Sequence, residues 1–121
     1  MSLYIDENGV ISLIQGDSGE IVVYGLDTNS NYDVYFAIQN LKRQPIASEL
    51  KVQSNFSDMV TFVLTSEFTD LLTVPKNKEY EIYRYGIKVC TPTTEDTVLV
   101  GDGDYGSVNQ LIVYPKIVEG A

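Results

Sequence analysis

The chain has 121 residues, which fits one domain, and 44% of them are hydrophobic against 21% charged, a balance that excludes a disordered segment. Seventeen acidic and eight basic residues leave a net charge of −9, so a phosphate backbone or an anionic membrane surface meets repulsion rather than counterion release. Histidine is absent and Cys90 stands alone, which removes an intrachain disulfide, a CxxC motif and the ordinary zinc and copper sites.

In chain order, the start MSLYIDENGV has no basic flank and no long apolar core, so it does not read as a signal peptide, and no apolar stretch approaches membrane-spanning length. Val10–Gln15 and Glu20–Tyr24 are the first predicted strands, with Gly16-Asp17-Ser18-Gly19 between them as a hairpin loop or tight connection. In that reading Gly16 and Gly19 take positive φ. The run Asp27-Thr28-Asn29-Ser30-Asn31 is a polar turn. Tyr32–Gln39 alternates, with Val34, Phe36 and Ile38 on one face; Ser48–Gln53 is a more polar strand; Met59–Thr65 turns Val60, Phe62 and Leu64 inward. Residues 66–72 break the period of two. Ser66 reads as the cap of one helical turn with Phe68, Leu71 and Leu72 on one side, ended by Pro75. Glu79–Cys90 is the longest strand, with Tyr83, Tyr85, Ile87 and Val89 sharing a face and Gly86 marking a bulge or bend; Cys90 is expected as a small buried hydrophobe. Thr97–Val100 and Gln110–Tyr114 close the set.

About eight short strands with no long amphipathic helix exclude a parallel α/β fold. The expected architecture is all-β: a single domain over residues 1–121, an antiparallel two-sheet β-sandwich of immunoglobulin-like type, with a closed barrel as the alternative. The short helix before a Tyr-rich strand resembles the E–F region of such sandwiches, where Tyr80 or Tyr83 takes the tyrosine-corner role.

Five motifs bear on chemistry. GDSG matches the nucleophile loop of chymotrypsin-like proteases, but without histidine Ser18 has no general base. Asp17-Ser18-Gly19 also resembles the loop of retroviral-type aspartic proteases, which need two carboxylates and no histidine. Gly16 and Glu20 depart from that pattern, and Leu99-Val100-Gly101-Asp102 only loosely matches its later apolar-apolar-Gly stretch. Gly101-Asp102-Gly103-Asp104-Tyr105-Gly106 fits the dinucleotide fingerprint, yet a strand pattern follows where a helix is required. Asp27, Asn29 and Asp33 alternate like calcium ligands, with Asp102 and Asp104 as a second acidic loop, but Tyr32 and Ile38 stand where an EF-hand needs Gly and Glu. Nine tyrosines and no tryptophan suggest sugar stacking, against which a central-strand position favours core or interface roles.

The opening Ile11-Ser12-Leu13-Ile14-Gln15-Gly16-Asp17-Ser18-Gly19 resembles that of small phage and prophage structural proteins, in particular the N-terminal β-domain of baseplate upper proteins. The later order is similar: Val34-Tyr35-Phe36-Ala37-Ile38, Thr69-Asp70-Leu71-Leu72, Tyr83-Arg84-Tyr85-Gly86-Ile87-Lys88-Val89, then Glu95-Asp96-Thr97. The resemblance implies a β-sandwich packed into a virion, with no catalytic residue, metal ligand or cofactor to carry over. The leading expectation is therefore a non-enzymatic structural protein of a phage or prophage tail, baseplate or capsid-associated assembly. It binds other virion structural proteins and its own copies, not nucleic acid or membrane. It is made in the host bacterial cytoplasm, and the last apolar stretch, Ile112 to Val118, serves as an edge or an extension toward a neighbour. A carbohydrate-binding module is the alternative and an aspartic protease the third.

Overall fold

Nine strands and one short helix make up the computed structural model, which describes residues 3–98 and 109–118. In order they are β1 (Tyr4–Ile5), β2 (Ile11–Ile14), β3 (Gly19–Tyr24), β4 (Asp33–Gln39), β5 (Pro45–Gln53), β6 (Met59–Leu64), α1 (Ser66–Asp70), β7 (Glu81–Cys90), β8 (Glu95–Val98) and β9 (Gln110–Tyr114). The fold is all-β. The larger sheet runs β1-β2-β9-β7-β4-β5, and β8 joins the same edge of β7 beyond the stretch that β9 occupies. Among the described residues the smaller sheet consists of β3 and β6.

Period-two alternation explains the sandwich. Val34, Phe36 and Ile38 of β4, Tyr83, Tyr85 and Ile87 of β7, Leu111 and Val113 of β9, and Ile11 and Leu13 of β2 are buried on one face of the large sheet. Ile21, Val60, Phe62 and Leu64 come down from the small sheet to meet them. Phe36 is the hub, with its ring 5.7 Å from Phe62 across the sandwich and 5.9 Å from Tyr85 on the neighbouring strand.

Several local expectations change. β2 and β3 do not form a hairpin: β2 pairs with β1 and β9, while β3 pairs with β6 in the other sheet. The GDSG run is a crossover between sheets. The β2–β9 pair is parallel, whereas every other pair is antiparallel. The helix cap is Thr65 rather than Ser66, its hydroxyl accepting from the Phe68 N–H at 3.1 Å. Leu72 is fully buried but Leu71 is exposed, so a five-residue helix directs only part of its apolar set inward. Gly86 sits in regular register opposite Ala37; the bulge lies in β5 instead, where Ala47 takes a φ of 64° between the Phe36–Leu50 and Ile38–Ile46 partners.

Neither β1 nor the turn after it is among the elements the sequence predicts. The Asp6 carboxylate accepts from the N–H groups of Asn8 and Val10, both at 2.9 Å, and Gly9 follows with a φ of 81°. The buried Gly9 carbonyl then accepts the Tyr85 hydroxyl at 2.6 Å. Tyr83 makes the matching bond at the other end of the core, its hydroxyl donating to the Thr73 carbonyl at 2.6 Å. That is the tyrosine-corner geometry, carried by Tyr83; Tyr80 is exposed.

Burial, aided by the nearby Asp6 charge, pushes the Tyr85 phenol up to about 12 from its usual 10.0, and Tyr83 is raised mainly by burial as well. A raised phenol keeps its proton in the folded protein while the unfolded chain ionises near its ordinary value. Stability is therefore fully present below pH 10 and falls as pH rises toward 12. Denaturant titrations from pH 9 to 12 are expected to show that decline, with a shallower slope in Tyr85→Phe. At neutral pH the same variant is expected to lose about 2 kcal/mol, because a buried carbonyl is left unpaired.

Candidate interaction site

Three surfaces are candidates for function, two of which carry residues singled out in the sequence. The first is the crossover at Gly16-Asp17-Ser18-Gly19. Gly16 has a φ of 86°, and a side chain there would meet the Asp70 carboxylate and the Lys116 stem, each at 3.5 Å. Gly19 is required for a different reason than expected: its φ is not positive, but a Cβ would come within 2.8 Å of the Leu3 Cβ. The loop is tied to α1 by Thr69, a buried residue whose hydroxyl donates to the Asp17 carbonyl at 2.8 Å. Around it, Gln15 donates to the Asp70 carbonyl and Lys116 to the Asp70 carboxylate, both at 2.9 Å. Asp17 and Ser18 themselves face solvent. What the loop does chemically in this arrangement is join two sheets and brace the helix.

The second surface is the outer face of β5, β4, β7 and β8, an open groove of about 790 Å³. The register sets out its rows: Gln53, Asp33, Cys90 and Glu95; then Lys51, Tyr35, Lys88 and Thr97; then the Ala37–Gly86 pair. A Cβ added at Gly86 meets nothing within 4 Å, so this pair forms a low floor beside the Tyr35 ring. Lys51 lies 5.8 Å from that ring's centre and 3.9 Å from Asp33, and Lys88 lies 3.4 Å from Glu95. Cys90 is half-buried here, on the solvent side of β7, not in the core as expected, because it falls one residue beyond inward-facing Val89. Tyr83 and Tyr85 of β7 are core residues, in keeping with their central-strand position.

The third surface is the outer face of the small sheet. Tyr24 and Met59 are cross-strand partners, 73% and 45% exposed, and Val63 is 57% exposed beside Glu20. With Val22 and Thr61 between them, the face carries one charge.

The acidic turn is occupied with its own chemistry. Asp27 accepts from the Asn29 N–H at 2.9 Å, Asn31 from the Asn55 N–H at 2.9 Å, and Asp33 from Gln53 at 3.1 Å. These acceptors serve three different partners, and among the described residues no group of three or more His, Cys, Asp or Glu side chains is gathered to hold a metal ion. The GxGxxG run and its Asp102 and Asp104, the Leu99-Val100-Gly101-Asp102 stretch and the end of the strand expected at Thr97–Val100 lie outside the described residues. No helix among the described residues is long and apolar enough to cross a membrane.

No family model and no curated protein matches the chain. Among solved structures it is similar to a chain in the crystal structure of dimeric latent PorU from Porphyromonas gingivalis, with 14% identity and a TM-score of 0.45 over 83% of this chain. The match spans 10% of that chain's length.

The loop geometry carries its own test. Thr69→Val removes the donor to Asp17 and is expected to cost about 1 kcal/mol, while the exposed Ser18→Ala is expected to stay within about 0.5 kcal/mol of the parent, both read by denaturant unfolding.

Proposed function

We propose that the protein is a non-enzymatic assembly module of a phage or prophage particle, working by protein–protein contact through the outer face of its smaller sheet. The observation that carries this reading is the Tyr24–Met59–Val63 face. In a chain with net charge −9 it is a solvent-facing sheet surface with a single charge, Glu20. Exposed apolar patches depleted in charge mark protein interfaces, and Tyr and Met are enriched in them. The virion setting comes from the strand-order resemblance, and the mode of contact from this face. Expected partners are other virion structural proteins and further copies of the chain.

The test is Tyr24→Ser combined with Met59→Ser, both exposed positions. Light scattering at high protein concentration and co-purification with co-expressed tail and baseplate proteins should show association by the parent. The double variant should lose it with little change in melting temperature. A parent that stays monomeric and retains none of those proteins overturns the proposal.

The groove on the other face favours a second reading, a carbohydrate-binding module. A tyrosine ring beside a floor of Ala37 and Gly86, flanked by carboxylates and threonines, suits a sugar's apolar face and its hydroxyls. On a glycan array this reading expects a signal that Tyr35→Ala abolishes and Tyr24→Ser leaves intact.

A further inference from the structure

The two sheets differ in width, and the difference leaves a strand position open. Phe62 of β6 packs on Phe36 of β4, and Gly19 at the start of β3 lies against Leu3, just before β1. The small sheet is thus set toward the β1 side of the large one, and the outer edge of β6 faces the β5 side. Among the described residues β6 pairs with β3 alone. Beneath the space beside it, Ile46, Leu50 and Val52 point inward from β5, as partners of buried Ile38, Phe36 and Val34. Those three partners are fully covered, whereas Ile46, Leu50 and Val52 are only half-buried.

The two strands bordering this slot are built differently. β5, the edge of the large sheet, begins with Pro45, bulges at Ala47 and carries Glu49 and Lys51, the usual protections against strand addition. β6 reads Met-Val-Thr-Phe-Val-Leu, with no charge, proline, glycine or bulge. Exposed carboxylates stand at both of its ends: Asp58 before it and Glu67 after it.

We infer that β6 accepts one extended strand from a partner polypeptide, placed over Ile46, Leu50 and Val52 as the third strand of the smaller sheet. Six residues, roughly 20 Å, span β6. Main-chain bonds to the strand edge supply the pairing, and alternate apolar side chains fill the space above β5. Asp58 and Glu67 select basic residues at the two ends of that segment. A second copy of the chain is a poor occupant, because it brings its own net charge of −9 to this acidic edge. The inference rests on the assembly reading only in requiring a polypeptide partner, and it uses a different surface from the Tyr24–Met59 face.

The test uses the full chain and the synthetic peptide Lys-Thr-Val-Thr-Val-Thr-Val-Lys at up to millimolar concentration, followed by amide exchange and methyl NMR. The expected result is slowed exchange within 59–64 and shifted methyl signals from Ile46, Leu50 and Val52. Binding should weaken about tenfold in Leu50→Ser, and less in the near-isosteric Val52→Thr, with melting curves confirming that both are folded. Glutamate in place of the flanking lysines should weaken binding, and N-methylation of alternate peptide amides should abolish it. Tyr24→Ser should leave binding unchanged, which separates failure here from failure of the assembly face. Several outcomes overturn the inference: no perturbation by the peptide, protection at β5 or β3 instead of β6, equal binding of the glutamate-flanked peptide, or β6 amides already protected by self-association of the free protein.

Discussion

Among the described residues two strands have to cover what seven strands present, and that mismatch governs the rest of the structure. The contact that makes the cover possible is Phe62 on Phe36, with Tyr85 stacked alongside. It places the narrow sheet over β4 and its neighbours, and the inward residues there are excluded from water almost completely. Each fully buried Phe, Leu or Ile contributes about 2 kcal/mol through the hydrophobic effect, so the core's stability is concentrated under β3 and β6. β5 lies at the margin of that cover, so its inward side chains pack against the core yet remain half-buried, although their pattern matches that of β4.

A narrow cover also leaves the ends of the sandwich open, and three side-chain hydroxyls close them. Tyr85 fastens the β1–β2 turn at Gly9, Tyr83 fastens the segment after α1 at Thr73, and Thr69 fastens the crossover at Asp17. Each donates to a carbonyl outside the strand ladders, and at buried Gly9 the bond satisfies a backbone group that would otherwise lose its water. In a chain with one cysteine and no tryptophan, these bonds stand where a disulfide and an indole pin other sandwiches. They also explain the tyrosine content in part: a phenol is the side chain that is both a large core filler and a donor able to reach across a sheet end.

Alternation was enough to place β4, β6 and β7 and to separate their inner and outer faces, because one face of each is buried and the period of two is strict. Pairing was not legible. Nothing local in Gly16-Asp17-Ser18-Gly19 distinguishes a hairpin from a crossover; that depends on β9, nearly a hundred residues away, taking β2 in parallel. Gly19 shows the same limit, since its need for a bare Cα comes from Leu3 and not from its own backbone angles. Cys90 was misplaced because an apolar run was read as uniformly buried, although the alternation through Ile87 and Val89 already put it on the other side. The surfaces were the least legible part. Tyr24, Met59 and Val63 read in sequence as ordinary strand residues, and only the absence of a layer above the small sheet in the described fold turns them into an exposed face.

Edge strands reveal how this sequence distributes its charge. With twenty-five charged residues available, β5 receives a proline, a bulge and two charges, and β6 receives none of these. Both strands end a sheet, so the general hazard of edge-to-edge pairing applies to each. A uniform defence would have treated them alike. The carboxylates of Asp58 and Glu67 at the two ends of β6 put charge beside that edge but not in it, so it resists an acidic partner while its backbone stays open to pairing. Half-buried Ile46, Leu50 and Val52 of β5 supply the apolar surface over which a single strand can lie. Protection at one edge and permissiveness at the other thus both go with the unequal widths of the two sheets.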